Sequence, residues 1–141
     1  RTLTVEGPDA HGRKLFIGIP YESSYTFSTF AIREGDSKGN AVTTGRLQLR
    51  RLTLNCSNTG FLHMYVTPKF RPTSTYTFTG RELGHGTNII GAIPLYTGTI
   101  NFPILSLNTQ VEVKVGSDSF LPFALVNASW EGFYNTRNAR V

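Results

Sequence analysis

Cysteine is almost absent from this 141-residue chain. The single residue, Cys56, cannot close an internal disulfide, which excludes a disulfide-stapled scaffold. Charged side chains are scarce at 16%, too few for a disordered polyelectrolyte when hydrophobic residues reach 39%. Long apolar runs are missing as well. None approaches the roughly 20 residues that span a bilayer as a helix, so no membrane insertion is expected. Helical periodicity is equally thin, because no window keeps apolar residues at i, i+3, i+4 and i+7 through three turns. The chain starts at Arg1 rather than Met and carries no secretory pattern, so it reads as processed or as a piece of something longer. Its length fits one domain, with residues 1–14 loosely attached.

The charge that is present sits unevenly. Residues 1–45 are balanced, whereas residues 46–81 hold Arg46, Arg50, Arg51, Lys69, Arg71 and Arg81 with no acid among them. This block supplies the formal net charge of +5. Two readings stand: a surface for an anionic partner, or a solvated strand face. Ten of the fourteen basic residues are arginine, whose planar fork pairs bidentately with carboxylates and phosphates.

Period-two alternation, the signal of strands, recurs throughout. Leu15, Ile17 and Ile19 alternate with more exposed types, as do Tyr25 and Phe27. Leu47 and Leu49 fall on odd positions, Leu52 and Leu54 on even ones, and the switch is at Arg50-Arg51. A slip of one residue is what a β-bulge produces, so a bulge or corner is predicted there, one that would aim both arginines at a target. Leu62, Met64 and Val66 alternate with Phe61, His63 and Tyr65, apolar enough on both faces for a central strand. Residues 73–79 alternate Thr with aromatics, and Val111, Val113 and Val115 alternate with Glu112 and Lys114. Ala124, Val126, Ala128 and Trp130 share one phase, which reads Trp130 as core. Ser57-Asn58-Thr59-Gly60 reads as a tight hairpin turn, and residues 35–40, 84–88 and 116–119 as loops. The expected fold is all-β, an antiparallel sandwich or barrel-like domain of eight to ten strands with little or no helix.

Catalytic and metal patterns are weak. His11, His63 and His85 are far apart, and no metal-ligand spacing joins them to Cys56. No G-x-S-x-G stands in the chain, and Cys56 reads as a partly buried hydrophobe. Glu131 beside Trp130 could belong to a sugar site, but reads more simply as a strand-end acid pairing with Arg137 or Arg140. Gly84-His85-Gly86 opens no helix, so it is not a phosphate cradle. The N-x-S/T matches at Asn55 and Asn127 are chance matches without a secretory context. Residues 46–51 hold no aromatic, which argues against base stacking. No cofactor is expected.

Several runs together resemble one family. Residues 45–55, G-R-L-Q-L-R-R-L-T-L-N, look like a signature of the tail tubular protein B family, the nozzle proteins of short-tailed bacteriophages. Ile17-Gly18-Ile19-Pro20-Tyr21, residues 97–104 and the ending from Leu121-Pro122 through Trp130 to Arg140 resemble the same family in the same order. The similarity runs from about residue 15 to the end; Cys56 departs from it, where a Tyr-like residue is expected. The resemblance implies a structural protein of the virion tail, with this chain its C-terminal portion. It implies partners: other copies in a hexameric ring, an adaptor ring, tail fibres, and DNA that passes through the lumen without sequence-specific binding. The family carries no catalytic motif to transfer.

The leading reading is therefore an assembly module that binds rather than turns over a substrate. The residues expected to contact acidic neighbours are Arg46, Arg50, Arg51, Arg71 and Arg81. Phe133 and Tyr134, with Arg137 and Arg140, are expected to form an anchoring C-terminal arm. The alternatives are a carbohydrate-binding sandwich that stacks sugars on Trp130, and a polysaccharide or cell-wall hydrolase built on two carboxylates in a cleft. A DNA conduit lined with strong cations would hinder passage, so the basic block is assigned to protein partners.

Overall fold

The computed structural model describes residues 16–33, 35, 39–81, 83, 84, 86, 88, 89 and 91–136. Among them run seven strands: β1 (Ser23–Thr26), β2 (Arg46–Thr59), β3 (Phe61–Pro68), β4 (Ser74–Thr79), β5 (Tyr96–Leu107), β6 (Val111–Ser117) and β7 (Leu125–Asn135). The only helical element among them is a 3-10 turn, Asn108–Gln110. Two antiparallel sheets result, ordered β1-β6-β3-β4 and β5-β2-β7. The all-β sandwich is as the alternation predicts.

The core lies between the sheets. Leu47, Leu49, Leu52, Leu54 and Cys56 descend from β2 and Phe102 and Ile104 from β5. They meet Leu62, Met64 and Val66 of β3 and Val113 and Val115 of β6. Tyr76 and Phe78 of β4 close one side by ring contacts with Phe102 and Tyr96 of β5. β3 sits between β6 and β4, the central position its two apolar faces predict.

Among the described residues seven strands stand where eight to ten are expected, and one connection and the phase of one strand differ from expectation. Residues 16–22 form no strand, and Leu15 lies outside the described residues, as do residues 1–14. The turn at residues 57–60 is not a hairpin, because β2 and β3 belong to different sheets. Asn58 does adopt the left-handed backbone expected of it, φ +47°. Gly60 then carries the chain across the sandwich, where a Cβ would sit 2.9 Å from Leu121. Turn chemistry fixes a change of direction, not which sheet the next strand joins. In β7 the phase slips opposite Asn55-Cys56. Ala128 and Trp130 keep the core phase beside Leu54 and Leu52, but Val126 is left out of the pairing and is 65% exposed. Leu125 and Phe123 take the inward places instead.

Cys56 is buried among the core leucines. Burial pushes its thiol above the ordinary range, partly offset by a hydrogen bond with Thr59. The folded protein should therefore resist a thiol reagent that reacts at once in denaturant. The thiol's contribution to stability is full below its ordinary pKa and is lost as pH climbs through the raised folded value. Rapid labelling of the folded chain near neutral pH would contradict this placement.

Candidate partner-binding surface

The β5-β2-β7 sheet turns its other face to solvent, and β2 organises it. Inward leucines force the alternate residues outward. The one-residue slip lies at the predicted place, with register shifts between Leu49 and Arg51 against both neighbours. Against β7 the extra residue is Arg50, so Arg50 and Arg51 both point outward while leucines stay buried on either side. Gly132 faces this site on β7, where a Cβ would stand 2.6 Å from the Gln48 carbonyl oxygen. Only glycine permits that approach of the two backbones.

Both arginines are held by β7. The Arg51 Nε donates to Glu131 Oε2 at 2.7 Å, with both side chains about half exposed. The Arg50 guanidinium lies 5.6 Å from the centroid of the Phe133 ring. Along the same face runs an uncharged ladder. Thr53 donates to Asn101 at 2.7 Å, Thr99 to Asn55 at 2.6 Å, and Asn55 to Asn127 at 2.5 Å. Side chains locked to one another in this way lose little entropy when a partner covers them. Glu131 pairs with Arg51; Arg137 and Arg140, its expected partners, lie outside the described residues.

The other candidate residues are dispersed. Arg46 and Arg71 share a cleft at the end of the sandwich where β2 begins and β3 ends. Arg81 follows β4 at the opposite end. Phe133 is 59% exposed, but Tyr134 packs on the core and donates to the Thr44 carbonyl at 2.6 Å. Both lie within β7 rather than in an arm beyond it. The amide ladder went unnoticed in the sequence. Its signal was outward-phase Asn and Thr on three strands, which becomes a ladder only when register is known.

Catalytic arrangements are thin among the described residues. No three of His, Cys, Asp and Glu cluster as metal ligands there. His63 contacts Thr77 at 2.9 Å and Asp118 at 3.5 Å; His11 and His85 lie outside. Glu22 and Asp118 line one cleft with Lys114, but its volume is about 70 Å³. Small-molecule sites are usually about 300–1,000 Å³. Trp130 is half buried, its ring edge-on to Phe30 at 6.1 Å.

The described residues thus define an all-β, two-sheet sandwich with one exposed, pre-ordered sheet face. The chain matches the bacteriophage nozzle protein family over residues 1–141, and it belongs to that family. It is 33% identical over 132 residues to the tail tubular protein gp12 of Escherichia phage T7, covering 92% of this chain. The chain spans 16% of the length of that curated relative. Membership gives it a structural role in the phage tail, as the resemblance implied.

Proposed function

We propose that this domain is an assembly module of the virion tail that binds neighbouring tail proteins and catalyses nothing. One observation carries the reading. The β2 bulge presents two adjacent arginines, fixed by Glu131 and Phe133, on an outer face that is otherwise an amide and hydroxyl ladder. Arginines already held in place suit pairing with a partner's carboxylates, and the uncharged surround forms hydrogen bonds without selecting a sign of charge. Arg46, Arg71 and Arg81 extend the positive field toward both ends, with Phe133 as the apolar anchor. The partners that fit are further copies in a hexameric ring, the adaptor ring and tail fibres, around a lumen through which DNA passes without sequence-specific contact. Immunogold labelling of purified particles with an antibody against this chain should mark the tail. Particles without label, and antigen confined to soluble lysate, would overturn the proposal.

A second reading draws on the open cleft of about 540 Å³ lined by Phe27, Phe30, Arg33, Asn40 and Trp130, a size that suits a glycan. Trp130→Ala separates the two. The assembly reading expects a loss of about 3 kcal/mol, low for a large aromatic because the ring is only half buried. The glycan reading expects unchanged melting and lost oligosaccharide binding, measured together by calorimetry.

A further inference from the structure

At one end of the sandwich three cations converge. Arg46, Lys69 and Arg71 line a cleft of about 210 Å³ with Gln48, Ser106 and Gln110, and among the described residues no carboxylate lines it. None of the three has an ion-pair partner among the described residues. They come from the start of β2 and from the turn after β3, and that turn is fastened. Lys69 N donates to the Gln110 carbonyl at 2.7 Å and Arg71 N to the Pro68 carbonyl at 3.2 Å.

Two further residues mark the same place. Phe70, between Lys69 and Arg71, holds φ +66°; Leu105, on the cleft wall, holds φ +52°. A left-handed backbone is unfavourable for a non-glycine residue. Yet Phe70 is 93% exposed and Leu105 66% exposed, so neither cost is offset by burying its own side chain. The Lys69 ammonium lies 5.7 Å from the centroid of the Phe70 ring, so cation and exposed ring present themselves together. Strain held at exposed apolar side chains beside cations that lack an ion-pair partner among the described residues is a mark of a recognition site.

We propose that this cleft binds an acidic segment of a neighbouring tail polypeptide. Carboxylates enter between Arg46, Lys69 and Arg71, and apolar side chains of the same segment cover Phe70 and Leu105. The two exposed hydrophobes favour a protein over a nucleic-acid backbone, whose phosphates would use the cations and leave Phe70 and Leu105 in water. Gln48 and Gln110 supply uncharged hydrogen-bonding groups at the rim. The inference rests on the assembly role proposed above, and its cleft borders the Arg50–Arg51 face, with Arg46 and Gln48 on the same outer side of β2.

Carbodiimide cross-linking of intact virions tests it, because the reagent joins an amine to a carboxylate already in contact. The expected product is an amide between Lys69 and an Asp or Glu of another polypeptide, located by mass spectrometry. It should vanish in Arg46→Gln/Arg71→Gln particles. It should weaken several-fold in Phe70→Gly/Leu105→Gly particles, whose melting should hold or rise because glycine relieves both left-handed positions. Three results would overturn the proposal. Lys69 could remain as open to acetylation in virions as in the free protein. Its cross-link could run only to an acid of its own chain. Its protection could depend on packaged DNA and disappear in emptied particles. If the cleft variants keep the Lys69 cross-link while the Arg50–Arg51 variant fails to assemble, the cleft fails and the assembly role stands. If they keep it and the Arg50–Arg51 variant also assembles normally, both fail.

Discussion

Reversing the charge of both bulge arginines, Arg50→Glu with Arg51→Glu, should stop the tail from assembling while the chain itself stays folded. The two halves of that expectation have separate grounds. Folding survives because neither side chain belongs to the core. The Arg51–Glu131 pair is about half exposed, and such pairs contribute at most about 1 kcal/mol after solvent screening. The Arg50–Phe133 contact adds about 0.5–1 kcal/mol at an exposed site. A new glutamate at 51 would also repel Glu131, by a similarly small amount. Assembly fails because two positive charges on a prepared face become two negative ones, and mispaired like charge at an interface costs several kcal/mol. Circular dichroism melting of the chain and plaque yield of the mutant phage read the two halves independently. Normal infectious particles would contradict the account. So would an unfolded chain, which would make these arginines structural.

The largest stability effect belongs to the opposite face of the same strand. Leu52→Ala should destabilise the fold by about 3–5 kcal/mol, lowering the melting temperature by roughly 10–20 °C. Leu52 has no exposed surface, and its neighbours along β2, Leu49 and Leu54, are equally buried. It sits beside Trp130 in the register with β7 and opposite Phe102 of β5. β2 is hydrogen-bonded to a strand on each side, which limits its collapse into the gap. Leu105→Ala on β5 removes the same atoms from a side chain 66% exposed and should shift stability by less than about 0.5 kcal/mol. Denaturant titration of both variants gives the comparison. Equal losses would mean that the sheets are not packed as described.

The difference between these leucines also defines what could be read before the fold was known. Along β2 the alternation is strong and the residues at the slip are charged. Burial phase therefore changes visibly at Arg50-Arg51, and the bulge was legible. In β7 the same device lies at Val126, where apolar residues stand on both phases. Alternation cannot reveal a slip there, and Val126, in sequence phase with Trp130, is exposed. The turn at residues 57–60 was legible as a turn, through Asn58, but not as a crossing between sheets. That choice depends on which partner buries more of β3, a long-range property. The arginines were legible as a block by charge alone, but their grouping was not. Arg50 and Arg51 are held by β7, Arg46 and Arg71 share a cleft with Lys69, and Arg81 stands apart. Register and loop path decide that grouping, and neither is written in local composition.

The claim that the outer face of β5-β2-β7 meets protein can be tested at one position. Phe133 is exposed beside Arg50, and benzoylphenylalanine can replace it in the complete tail protein. Irradiation of intact virions should then join residue 133 to a second tail polypeptide, as a heavier band that contains both. A virion in which that residue reacts only with DNA, or only within its own chain, would contradict the assignment of this face to assembly.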